Sequence, residues 1–117
     1  MHYNKSKLFK LIFWMALVGS YILAIVPLDK APVITPFSDK GNHFIAFAFL
    51  SVSLFYAYRV SYMKIALWMV AYGIWIEFTQ YFIPSRYAEF LDIVVDVVGI
   101  VIGLIIVFLA NRFAVKR

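Results

Sequence analysis

The chain has no cysteine, which excludes a disulfide framework and a thiolate metal site and leaves its redox compartment unspecified. It also lacks an HExxH-type metal pair, a phosphate-cradling glycine loop and a nucleophile motif. No internal repeat or low-complexity segment is present, and no stretch between the apolar runs leaves room for a separate soluble domain. Charge is scarce, at 15% of the chain. What fills the sequence instead is apolar surface, 65% of 117 residues, against about half in a soluble domain. With a mean hydropathy of +0.90, the composition is that of an integral membrane protein, expected to form one domain over residues 1–117.

Four apolar runs, 8–28, 42–60, 65–83 and 90–110, match the roughly 17–25 residues a helix needs to cross a hydrocarbon core about 30 Å thick. They predict an all-α membrane protein with four transmembrane helices. Pro27, Pro32 and Pro36 end the first run and keep its loop extended, and Pro84 ends the third, because proline lacks a donor and clashes with helix continuation. The first run is longer than a usual signal core and Ile22-Leu23-Ala24-Ile25-Val26-Pro27 has no Ala-x-Ala pattern, so a retained span is expected over a cleaved signal peptide.

Charge placement orients these spans. Eight of the eleven basic residues (Lys5, Lys7, Lys10, Arg59, Lys64, Arg112, Lys116 and Arg117) fall at one end. The other end carries Lys30, Lys40, Arg86 and all six acids, Asp29, Asp39, Glu77, Glu89, Asp92 and Asp96. The positive-inside rule then predicts both termini in the cytoplasm of a cell membrane and the polar chemistry facing out. The net charge of +5 is explained by orientation, and no nucleic-acid partner is expected.

Ionisable residues within apolar spans cost a few kcal/mol at the bilayer centre and so mark function. They concentrate between Trp75 and Gly103. On the third span Glu77 and Gln80 lie one turn apart, with Glu77 about 9 Å in from the outer end of a helix that runs to Ile83. On the fourth, Asp92, Asp96, Gly99 and Gly103 recur at spacings of four, three and four, a single helical stripe. Gly99 and Gly103 form a small-xxx-small contact for a neighbouring helix, and the stripe aims both aspartates at that same neighbour. At the start of the second span Ser38 or Asp39 is a candidate N-cap. His43, four residues after Asp39, falls on the adjoining turn, where the two could hold a proton or a metal or simply pair. Arg86, in the turn from Pro84 to Glu89, is the expected counter-charge above Glu77 and Asp92. The three Trp residues and the many Phe and Tyr are read as lipid-facing or packing residues without a site role.

Asp39-Lys40-x-x-His43-Phe44, Glu77-x-x-Gln80, Pro84-x-Arg86 and Asp92-x-x-x-Asp96-x-x-Gly99-x-x-x-Gly103, in this order and spacing, resemble the signature of the VanZ-like membrane proteins. The likeness covers most of the chain from Asp39 onward, while the first span matches as a generic apolar helix. It implies a small bacterial multi-span protein of a family whose founding member is linked to resistance to teicoplanin, a glycopeptide acting at the outer face of the envelope. Asp96 stands where the family usually has Asn, and Glu89 where a small polar residue is common, so this site is more acidic than the family pattern.

The expected ligand-binding set is therefore Asp39, Lys40, His43, Glu77, Gln80, Arg86, Asp92 and Asp96, with Gly99 and Gly103 in helix packing and neither metal nor cofactor required. Its expected partners are membrane lipids, and a lipid-linked cell-wall precursor or a glycopeptide antibiotic. Three other readings remain: an intramembrane enzyme on a lipid-linked envelope substrate, using acids and His43 as general acid and base, a proton-coupled transporter using buried carboxylates as a relay, and a purely structural role as an assembly partner.

Overall fold

The computed structural model describes residues 2–26, 39–83 and 90–115, with side chains over 5–26, 40–83 and 90–113. Within them the chain forms four helices: α1 (His2–Ile25), α2 (Asp39–Tyr58), α3 (Tyr62–Gln80) and α4 (Phe90–Val115). Three have the length and composition to cross a membrane, over Lys5–Ile25, Lys40–Tyr58 and Phe90–Phe113. Of the four expected spans, three are shown among the described residues. α3 has 19 residues but includes Lys64, Glu77, Thr79 and Gln80 among its apolar ones, and does not reach the same measure.

Helix limits shift from the apolar runs because hydrogen bonding continues past the last apolar residue. α1 begins six residues before the run at residue 8, and α4 continues five residues beyond 110. α2 opens at Asp39, so Asp39 is a helical residue and not the cap, while Ser38 lies outside the described residues. α3 ends at Gln80, and the chain then tightens into i→i+3 bonds, with the Phe82 amide on Thr79 O and that of Ile83 on Gln80 O. Glu77 accordingly sits in the last helical turn, about 4.5 Å from the helix end at 1.5 Å per residue, half the expected depth.

Cross-helix bonds give the helix directions. Ser6 near the start of α1 donates to Ala57 O near the end of α2, so these two are antiparallel. α2 and α3 form a tight hairpin across Arg59, Val60 and Ser61, and the Ser61 hydroxyl caps α3 by accepting from the Lys64 amide. His43 meets Asp96 and Tyr56 meets Asn111, so α2 and α4 run parallel. The result is an up-down-up-down bundle. α2 packs against each of the other three helices, most extensively against α4, whereas α1 and α4 make no contact among the described residues.

The core is built from Phe13, Phe47, Leu50, Leu54, Ile65, Met69, Ile76 and Ile100. Outside, large apolar side chains such as Trp14, Trp68, Trp75, Val101 and Phe108 are exposed. That distribution suits a lipid-facing surface and agrees with the reading of the Trp residues. The glycine stripe meets α2: a Cβ on Gly99 would lie 2.6 Å from Phe44 O, and one on Gly103 2.7 Å from Ala48 O. Only glycine lets the backbones approach this closely, and this contact sets the register that places the aspartates above it.

Candidate functional site

The glycine contact holds α4 against α2, so Asp96 and Asp92, one and two turns further along the same stripe, face the first turns of α2. Lys40 Nζ lies 3.1 Å from Asp92 Oδ1. One turn deeper, His43 Nδ1 lies 2.9 Å from Asp96 Oδ1. Both aspartates are buried, whereas Lys40 is a third exposed, with 34% of its side-chain surface open. Asp92 also occupies the first turn of α4, where the positive end of the helix dipole favours an acid.

α3 closes the third side. Its buried residues Ile65, Met69, Gly73, Ile76, Glu77 and Gln80 form one stripe at helical spacing. Gly73 lies against the site: a Cβ there would come within 2.9 Å of Asp96 Oδ2 and 3.5 Å of the Phe47 ring. Glu77, four residues on, stands one turn outward on that face and is 7% exposed. Gln80 is 1% exposed and turns its amide to α1, donating from Nε2 to Ala24 O at 3.0 Å. Ala24 is in the last turn of α1, so Gln80 supplies a donor to a carbonyl the helix itself leaves unpaired. Gln80 Oε1 has no hydrogen-bond partner among the described residues.

The floor is aromatic. The Phe47 ring is parallel to the His43 ring, with centroids 6.3 Å apart at 3°, and it stacks on Tyr72 at 5.6 Å. Tyr72 donates to Leu17 O at 2.9 Å and lies 2.7 Å from the Ser20 hydroxyl, tying the floor to α1.

Six of the eight expected ligand-binding residues, Lys40, His43, Glu77, Gln80, Asp92 and Asp96, are thus brought to one end of the bundle by three helices. Asp39 opens α2 but its side chain lies outside those described, and Arg86 lies outside the described residues. The expected pairs of Arg86 with Glu77 and Asp92 and of Asp39 with His43 involve side chains outside those described; the contacts described are Lys40 beside Asp92 and His43 with Asp96 across the interface. Phe47, Tyr72 and Gly73 were not anticipated. Gly73 alone left a signal, a small residue one turn before Glu77 on the same face.

Chemically, an imidazole held through Nδ1 by a carboxylate is fixed in orientation. With Asp96 ionised, Nδ1 carries the proton and donates it, which defines the tautomer at Nε2; a protonated ring makes the pair an ion pair. The Lys40–Asp92 pair above is the more solvent-accessible of the two.

A bundle with an apolar exterior and three helices long and apolar enough to cross a membrane, with ionisable side chains buried at one end, defines a small helical membrane protein. The family model described as VanZ/LLP1 matches residues 3–111, and the chain belongs to that family. The match takes in α1 and extends the likeness beyond the motif-bearing part from Asp39 onward. Neither the curated proteins nor the solved structures contain a match to this chain.

Proposed function

We propose that this VanZ-like membrane protein crosses the plasma membrane four times with both termini in the cytoplasm, and that its polar cluster opens outward to bind an envelope lipid head group or a lipid-tailed glycopeptide. α3 is then the fourth crossing. In this reading Lys40 and Arg86 engage phosphate or carboxylate, Glu77 and Asp96 accept from sugar or peptide groups, and ligand capture contributes to glycopeptide tolerance.

The observation that carries the reading is the pair of stacked polar contacts, the ion pair Lys40–Asp92 and the hydrogen-bonded pair His43–Asp96, with Glu77 on the facing helix. Stability alone does not call for them, since apolar residues of similar volume serve a core as well or better. Lys40 is the member with exposed surface, so it is the one able to leave Asp92 for an incoming anion.

Binding of a lipid-linked cell-wall precursor and of teicoplanin to the purified protein tests this. Wild type should retain the ligand through detergent exchange, and Arg86→Ala and Lys40→Gln should each lose it while still eluting as folded protein. Unchanged retention and unchanged antibiotic tolerance in both variants would sink the proposal.

One observation favours a second reading. A histidine oriented by a buried carboxylate at 2.9 Å is the arrangement a general base needs, which suits an intramembrane enzyme on a lipid-linked substrate. Incubation with polyprenyl phosphates and lipid-linked precursors separates the two: turnover abolished by His43→Ala or Glu77→Gln supports catalysis, and binding without turnover supports capture.

A further inference from the structure

The opposite end of the bundle carries a second cluster with a different chemistry. No Asp or Glu occurs in 1–28, 40–76 or 97–117, so the sequence places no acidic side chain among the positive charges at this end. Two cations there lie over rings from the last turn of α2, Lys10 from α1 and Arg59 from just past the end of α2. Lys10 Nζ lies 5.1 Å from the centre of the Tyr58 ring, which is itself fixed by a 2.8 Å bond from Trp14 Nε1 to its hydroxyl. The Arg59 guanidinium lies 5.2 Å from the Phe55 ring and 5.3 Å from that of Tyr56, in the corner that these two rings make at 85°.

The backbone adds an independent observation. Arg59 has φ 55° just past the end of α2, with its amide on Phe55 O at 2.7 Å. This is the left-handed position that terminates helices, where glycine is usual and a side chain is strained. An exposed arginine kept at a glycine position points to a use for its side chain. A topology signal needs only the charge, not this position or the ring contacts.

We infer that this end of the bundle binds the phosphates of anionic phospholipids, at Arg59 on the Phe55 and Tyr56 rings and at Lys10 on the Tyr58 ring. Both side chains are exposed yet ordered against aromatic rings, so less rotamer freedom is lost when a phosphate is bound. The guanidinium presents its donors in a fork matched to two phosphate oxygens, while the rings beneath offer apolar surface to the rest of the lipid. The inference goes beyond the polar cluster at the other end and does not depend on what that cluster binds.

Native mass spectrometry of the full chain, exchanged into mixed micelles with equal phosphatidylglycerol and phosphatidylcholine, tests it. Wild type should retain phosphatidylglycerol preferentially. Arg59→Gly and Lys10→Gln should each lower that preference about fivefold, since a basic side chain near an anionic surface contributes roughly that factor. Arg59→Gly also relieves the backbone, so a loss of lipid from a protein that melts no lower cannot be assigned to unfolding. Arg59→Lys, which keeps the charge but not the fork, should fall between. Equal retention of the two lipids by wild type would overturn the inference. So would a preference that survives the double variant, or one lost only in Arg86→Ala, which would move the site to the other end.

Discussion

His43 and Asp96 meet at 2.9 Å across the α2–α4 interface, although 53 residues separate them in the chain. Each occupies the second turn of its helix, and the two helices run parallel, so the pair lies just beneath Lys40–Asp92 and above the close contact at Gly99. It is held from below by backbone proximity and from the side by the Phe47 ring.

Removing one partner of this pair should cost more than neutralising it. Asp96→Ala leaves His43 buried without this acceptor, and an unsatisfied buried donor costs about 1–3 kcal/mol. Asp96→Asn keeps an oxygen able to accept from Nδ1–H, so it should lose far less. Thermal unfolding in detergent should rank wild type and Asp96→Asn close together and Asp96→Ala well below; equal melting of the two variants would show that the contact is not what the substitution removes.

The glycines make a graded series. A Cβ on Gly99 meets Phe44 O at 2.6 Å, backbone that cannot move aside, so Gly99→Ala should destabilise by about 1–3 kcal/mol through overpacking. Gly19 has nothing within 4 Å of the same position, so Gly19→Ala should be neutral or gain about 0.5–1 kcal/mol from helix propensity. Gly73→Ala falls between, since it presses on Asp96 Oδ2 at 2.9 Å, a short side chain already held by His43. Its effect should appear in the His43 ring resonances before it appears in the melting temperature.

Gln80 joins α3 to the end of α1 through Ala24 O. Gln80→Met keeps the volume and removes the donor, and an unsatisfied buried carbonyl costs about 1–3 kcal/mol. A drop in melting temperature of that order is expected in the absence of any ligand. No drop would mean that the carbonyl finds another donor.

The absence of cysteine allows topology to be read from single introduced thiols without background. If α3 is the fourth crossing, Ser38→Cys and Ser85→Cys should react with an impermeant maleimide in intact cells. Asn4→Cys and Ser61→Cys should react only after permeabilisation. Labelling of Ser61→Cys and Ser85→Cys from one side would remove α3 as a span and with it the outward orientation.

The Asp92, Asp96, Gly99, Gly103 stripe was legible because helical spacing fixes which residues share a face, and Gly99 and Gly103 pack as that spacing implies. Its neighbour was not legible, because periodicity identifies a buried face but not the helix that buries it. Lys40, 52 residues from Asp92 in sequence, lies beside it, a neighbour that nearness in the chain does not reveal, while Arg86, expected there, lies outside the described residues. The depth of Glu77 was misjudged for a local reason: the run of apolar residues continues through Phe82 and Ile83, whereas the helix stops at Gln80 and tightens.

Composition and periodicity by themselves determined that this chain is helical and apolar on its outside, and that its acids and most of its basic residues lie at opposite ends, because hydropathy, charge and helical repeat are properties of residues in order. Which side chains meet was decided by the tertiary structure alone. Lys40 with Asp92, His43 with Asp96, and Arg59 in its corner of two rings each depend on the distance between helices and on backbone direction at a turn, and those are set by how glycines, rings and carbonyls from remote segments fit together.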